Sequence, residues 1–173
     1  MSLAVALLSA LVLQQPDPLA PAREGQLQCF QPDQAQKTCG AIGRYEFGAD
    51  GAIFVNSRVA IMASPLVTFE SRTAVTLRDG QECSQTDDAG ADIQTIEING
   101  AALSGPAFEQ AREQIGQQLN AIIGGAELCS TYSPQTDGTI QVTTSANGVE
   151  KRELSGALIW VGADEGWTLA PAS

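Results

Sequence analysis

Hydrophobic and polar residues alternate with a period of two along most of the chain, which is typical of β-strands with one buried face. In the segment Leu66–Arg78, Val67 and Phe69 fall on one face and polar side chains fall on the other. Turn signals such as Asp79-Gly80 separate successive segments of this kind. The pattern predicts nine strands: Ala41–Phe47, Ala52–Met62, Leu66–Arg78, Glu82–Ser84, Asp92–Asn99, Glu127–Tyr132, Thr139–Ser145, Glu153–Val161 and Gly166–Leu169.

One segment has a helical period instead and predicts a helix over Gly105–Ile123. Its hydrophobic stripe consists of Phe108, Ala111, Ile115, Leu119 and Ile122. Ser104 is the expected N-cap, Pro106 suits the first turn, and Gly124-Gly125 ends the helix. We expect Ile115 and Leu119 to be buried against the sheet, and Glu113 to face solvent.

These elements predict an α+β fold. A twisted, mainly antiparallel sheet of about seven to nine strands packs the single helix on one face. The alternative is a small barrel or sandwich in which the helix is a plug or a lid.

The N-terminus resembles an export signal, because Leu3–Leu13 is uncharged but too short to span a bilayer. Ala20-Pro21-Ala22 is an A-x-A-like cleavage site, although no Lys or Arg precedes the apolar run. We therefore predict a signal peptide over residues 1–22 and a single α+β domain, cross-linked by disulfide bonds, over residues 23–173. The proline-containing segment Gln14–Glu24 is interpreted as a spacer outside the packed domain. The alternative is a buried N-terminal helix or strand.

The four cysteines support an oxidising compartment, since their number is even and none lies in a C-x-x-C pair. Of the three possible connectivities, we favour Cys29–Cys39 and Cys83–Cys129. The first bond closes a short loop, and the second joins a strand before the helix to a strand after it. The alternative is four free thiols in a cytosolic core.

Composition excludes several classes of function. The chain has 173 residues, 9 Lys and Arg against 20 Asp and Glu, a net charge of −11 and no histidine. The negative charge argues against binding to duplex nucleic acid or to anionic membrane surfaces. The absence of histidine removes Ser-His-Asp and Cys-His catalytic systems and histidine-ligated zinc. We expect no cofactor, no stable membrane insertion after cleavage, and a partner that is a protein or a small ligand.

Carboxylates are the only plentiful reactive groups. Asp87, Asp88 and Asp92 share one loop, but their spacing does not fit an EF-hand, so we interpret them as a solvated acidic loop and assign no metal site. No catalytic residue is assigned either. Trp160 and Trp167 flank the last predicted turn and are interpreted mainly as core residues. If they are exposed together, they form a platform for a sugar ring or a peptide.

The sequence therefore favours a non-catalytic exported module that binds, inhibits or assists in a cell envelope. The alternative is a carboxylate-dependent envelope hydrolase, which needs two acids in a cleft and a raised pKa for one of them. Seven Arg against two Lys, with abundant Ala and Gly, indicate a bacterial origin. The expected location is then periplasmic or secreted.

Overall fold

A computed structural model describes residues 17–85 and 87–171. Within these residues the chain forms twelve strands, two α-helices and one 3-10 helix over Arg152–Leu154. The elements up to the main helix are α1 (Ala20–Arg23), β1 (Leu27–Asp33), β2 (Thr38–Phe47), β3 (Ile53–Ala63), β4 (Leu66–Arg78), β5 (Gln81–Gln85), β6 (Ile93–Ile98), β7 (Ala101–Ala102) and α2 (Gly105–Ile123). The later strands are β8 (Glu127–Pro134), β9 (Ile140–Ala146), β10 (Val149–Glu150), β11 (Gly156–Val161) and β12 (Thr168–Leu169).

Eight of the strands pair in a closed ring. Its order is β1, β2, β3, β4, β5, β8, β9 and β11, which returns to β1, and all eight pairings are antiparallel. β6 pairs with the first half of β4, whose second half pairs with β5 on the same side. β7 pairs with β6 and β10 pairs with β9, both antiparallel, and β12 pairs in parallel with β2. The predicted α+β class, a mainly antiparallel sheet with one main helix, is confirmed.

The structure has three strands more than the nine predicted: β1, β7 and β10. β7 and β10 have only two residues each, so they carry no periodicity. β1 contains Pro32, and for this reason the segment was predicted to be a loop. The structure shows why the proline is tolerated: β1 pairs with β11 only over Leu27–Phe30, whereas Pro32 faces a partner in β2 alone. A proline lacks a backbone donor and is accommodated where a strand has one neighbour.

The predicted helix is confirmed with its predicted boundaries, and Gly124 takes the left-handed C-cap conformation at φ 66°. Its stripe packs on buried side chains of the sheet, which are Val67, Phe69, Ile93 and Ile96. Ile115 and Leu119 pack against the sheet as expected, but they are half-buried and not buried. The helix packs mainly on β6, which has only the two-residue β7 beyond it. A helix at the edge of a sheet leaves part of its stripe open.

Two details at the helix were not predicted. Ser104 occupies the N-cap position, but its side chain makes no capping hydrogen bond. One of the usual donors for such a bond is missing, because Pro106 at the second helical position has no N–H. Further along, the helix meets the loop before β6 so closely that a Cβ on Gly116 would lie 2.7 Å from the Cα of Gly90.

The segment before β1 belongs to the packed structure. Leu19 is fully buried and Ala22 is 7% exposed, and both pack with Tyr45 and Val75. The interpretation of Gln14–Glu24 as a spacer is therefore wrong for residues 17–24. The apolar run Leu3–Leu13 lies outside the described residues. Cleavage after Ala22 stays a prediction, and it would remove Leu19 from this cluster.

Both favoured disulfides are present. Cys83 in β5 and Cys129 in β8 stand directly opposite each other, and Cys29–Cys39 crosses the β1–β2 hairpin. Cys29 and Cys39 are fully buried and pack with Val161. Among the described residues, no helix is both long enough and apolar enough to cross a membrane.

Candidate functional site

An open pocket of about 520 Å³ lies where α1, the β4–β5 turn, the β8–β9 connection and β11 come together. We call it the Trp160 pocket. Its apolar lining residues are Pro18, Pro21, Pro134, Ile140 and Trp160. Its polar lining residues are Asp17, Asp79, Gln81, Thr131 and Tyr132. A concave, mainly apolar wall with a few placed polar groups, and a volume of roughly 300–1,000 Å³, are common features of ligand sites.

A buried hydrogen-bond network holds Tyr132 in the wall of this pocket. The phenol of Tyr132 donates a short hydrogen bond to Oε2 of Glu82, and the phenol of Tyr45 donates to the same oxygen at 2.7 Å. Nε2 of Gln28 donates to the Tyr132 oxygen at 3.1 Å. Because side chains of two other strands, β5 and β1, bond directly to this phenol, the ring of Tyr132 is held in place in the wall.

Burial is the main electrostatic influence on the network. It raises the pKa of Glu82 above its ordinary value of 4.5, and the hydrogen bonds from Tyr132 and Tyr45 oppose that shift. Burial also raises the pKa of both tyrosines well above 10.0. The two phenols therefore stay protonated near neutral pH and keep their donor role toward Glu82.

Trp160 lies opposite Gln28 in the β11–β1 pairing, and its ring packs at 6.1 Å from the ring of Tyr45. Trp167 packs instead beside the Cys29–Cys39 disulfide, and its Nε1 donates to Glu165 at 3.2 Å. The structure therefore does not bring the two tryptophans onto one platform. The chain after β11 makes no hairpin with it, because β12 pairs with β2.

The acidic loop has a structural role in the described residues. Asp88 accepts hydrogen bonds from the side chain of Asn120 in α2 and from the backbone of Gly90, each at 3.0 Å. These bonds lower the pKa of Asp88. Asp92 accepts a hydrogen bond from Thr73. Across residues 17–85 and 87–171, no group of three or more Cys, Asp or Glu side chains is arranged to hold a metal ion.

A larger groove, of about 730 Å³, runs along the polar face of α2 beside this loop. Its polar side chains pair among themselves: Arg112 forms an ion pair with Glu109 at 2.6 Å, and Gln117 donates a hydrogen bond to Glu113 at 3.3 Å. It has neither the aromatic wall nor the buried carboxyl group found at the Trp160 pocket. We therefore regard it as the solvated side of the helix and not as a functional site.

Sequence reasoning identified Trp160 but missed Tyr45, Glu82 and Tyr132 as a unit. Tyr45 and Tyr132 are 37 and 50 residues away from Glu82 along the chain, so no local motif joins them. One signal was available: Tyr45 and Phe47 are two positions apart in the predicted strand Ala41–Phe47 and so share a face, and a tyrosine among apolar neighbours needs an acceptor for its hydroxyl group. The identity of that acceptor depends on the pairing of the strands.

No family model, no curated protein and no solved structure matches this chain.

Proposed function

We propose that this protein is a non-catalytic exported module that binds its ligand in the Trp160 pocket. The observation that carries the proposal is the rigid aromatic wall, in which Tyr132 is fixed by Glu82 and Trp160 packs on Tyr45. A wall that needs no reorganisation avoids part of the ordering cost of binding. The apolar N-terminal run and the two disulfides support export to an oxidising compartment. Cleavage after Ala22 would remove Asp17, Pro18 and Pro21 from the pocket wall and would leave Tyr132, Ile140 and Trp160 in it.

One observation favours the second candidate, a carboxylate-dependent hydrolase. Glu82 is a buried carboxyl group with a raised pKa, which is a property of general acids. Against this role, Glu82 is not part of the pocket lining, and its Oε2 already accepts from two phenols. Hydrolysis of a glycosidic bond also needs a second carboxyl group across the substrate. Binding without chemistry therefore fits the geometry better.

The two tryptophans provide a direct test, because each gives one indole N–H signal in an NMR spectrum. Trp160→Phe and Trp167→Phe assign the two signals. We expect fragments from a set of sugars, amines and short peptides to shift the Trp160 signal and to leave the Trp167 signal unchanged. Trp160→Ala should abolish that binding, and Trp167→Phe should retain it.

The outcomes separate the two candidates and can contradict both. If no fragment shifts the Trp160 signal, the binding proposal is wrong. If a fragment is cleaved, and Glu82→Gln stops cleavage while binding persists, the protein is a hydrolase.

A further inference from the structure

The described walls of the Trp160 pocket carry negative charge without any positive charge. Asp17 and Asp79 line it, and no Lys or Arg is among its described lining residues. Asp17 is already neutralised by Arg23, whose Nε lies 2.8 Å from its carboxylate. Asp79 is different, since its carboxylate accepts no hydrogen bond and forms no ion pair within residues 17–85 and 87–171.

The neighbour of Asp79 in sequence, Arg78, interacts with it electrostatically but forms no ion pair with it. The guanidinium of Arg78 turns toward β8 and pairs with Glu127 at 2.7 Å. Asp79 itself sits in the tight β4–β5 turn with φ 52°, followed by Gly80 with φ 73°. This turn places Asp79 in the lining of the pocket.

The three other polar side chains of the lining, Gln81, Thr131 and Tyr132, each already make a hydrogen bond. The Tyr132 hydroxyl donates to Glu82, and Nε2 of Gln81 donates to Thr131 at 2.8 Å. A sugar needs several free partners for its hydroxyl groups, so this lining suits it poorly. A ligand that combines an apolar body with one positive charge matches it better.

The apolar part of the lining indicates what that body is. The chain's own segment with Pro18 and Pro21 packs at this site, and Leu19 between them is buried with Tyr45. Proline-containing chain therefore already lies against this aromatic cluster. Aromatic grooves accept proline-rich segments because such segments are extended before they bind and lose little entropy.

We propose that the Trp160 pocket binds an extended, proline-containing peptide segment of a partner protein, with an arginine side chain reaching Asp79. Its proline rings would pack on Trp160 and Ile140. A volume of about 520 Å³ suits a few residues of such a segment. This inference rests on the proposed binding function and names the class of ligand.

The test uses three proline-rich pentapeptides that differ only at the central residue, which is arginine, its uncharged isostere citrulline, or glutamate. Binding to the full chain is followed through the Trp160 indole signal. At an ionic strength of about 0.02 M, we expect the arginine peptide to bind about three- to fivefold more tightly than the citrulline peptide. Raising the ionic strength to about 0.5 M should remove most of that difference.

Asp79→Asn should reduce the affinity for the arginine peptide about three- to fivefold and leave the citrulline peptide unchanged. Asparagine followed by glycine suits the same turn, so the variant should fold. Asp164→Asn is the matched control: it changes the net charge equally, lies in another exposed turn and should alter neither affinity.

Equal binding of the arginine and citrulline peptides would overturn the inference while leaving the binding function intact. So would a Trp160 signal that responds to sugars or neutral fragments but to none of the peptides. A Trp160 signal that responds to no probe at all would overturn the binding function as well.

Discussion

Two clusters of buried side chains in this molecule differ in chemistry. The cluster under α2 is purely apolar and consists of Val67, Phe69, Ile93 and Ile96, covered by the helix stripe. The cluster beside the Trp160 pocket combines Leu19 and Val75 with Tyr45, and it adjoins the buried carboxyl group of Glu82. Among the described residues, the pocket beside the second cluster is lined by both Tyr132 and Trp160, whereas a pocket of about 290 Å³ beside the first has Phe69 as its aromatic residue.

Burial of side chains has a different role in each of the two clusters. Burying apolar surface without polar groups stabilises the fold and costs no lost hydrogen bonds with water. Burying a carboxyl group and two phenols brings a desolvation cost, which their mutual hydrogen bonds offset. Such a network fixes the position of Tyr132. A site that must present a defined surface gains from that fixed position.

The largest effect is expected from the disulfide that joins β5 and β8, the strands carrying Glu82 and Tyr132. Replacing Cys83 and Cys129 by serine should lower the free energy of unfolding by about 4 kcal/mol, since the bond spans 46 residues. Replacing Cys29 and Cys39, which are 10 residues apart, should cost about 2–3 kcal/mol. Denaturant unfolding of both double variants measures the two values. The reverse order, or a Cys39–Cys83 link found by peptide mapping of the native protein, would contradict this assignment.

The next comparison deletes one anchor in each cluster. Ile96→Ala under the helix and Leu19→Ala beside the pocket should each cost about 2–5 kcal/mol in the full chain, because both side chains are at most 1% exposed. Chemical denaturation checks both. A loss at Ile96 with none at Leu19 would show that the N-terminal segment adds nothing to the fold. Intact-mass measurement of protein from its natural host then shows whether Leu19 is retained.

A smaller effect is expected on the two faces of α2. Ile115→Ala should cost about 1–3 kcal/mol, because Ile115 is half-buried on the apolar cluster. Glu113→Ala on the exposed face should change the free energy of unfolding by less than about 0.5 kcal/mol. Equal losses for the two variants in a thermal or denaturant scan would mean that the helix presents another face.

The smallest effect is the pH dependence that comes from Glu82. The pKa of Glu82 is raised in the folded state. Glu82 therefore makes its full contribution to stability below pH 4.5, and this contribution is lost as the pH rises through the folded pKa. Glu82→Gln removes this dependence. The free energy of unfolding of the variant, relative to the natural chain, should therefore rise as the pH increases from about 4.5 to neutral.

Glu127→Gln is the control with the opposite sign. The hydrogen bond from Arg78 lowers the pKa of Glu127. Glu127 therefore contributes to stability above pH 4.5, and this contribution is lost as the pH falls through the lowered pKa. Unfolding of both variants across this pH range measures the two slopes. Parallel slopes for Glu82→Gln and Glu127→Gln would show that Glu82 is not buried as described.

The elements that were predicted correctly share one property: their signal is local. The helix over Gly105–Ile123 has a regular stripe and a glycine stop, and both cysteine pairs followed from parity and placement. The misses have a shared cause too. β1 was obscured by Pro32, and the packing of Leu19 was obscured by the prolines around it, because the effect of a proline depends on what the neighbouring chain offers.

The sequence by itself determined the α+β class, the strand periodicity and the main helix, since each is encoded by spacing within a segment. It favoured the cysteine pairs through parity and placement, and the structure shows that pairing. Only the tertiary structure decided that Tyr45, Glu82 and Tyr132 meet, that Trp160 and Trp167 are separate, and that Asp79 lines a pocket. Those facts depend on which strands become neighbours in the ring. Strand pairing depends on which distant segments fit each other, so the sequence of one segment does not reveal its partner.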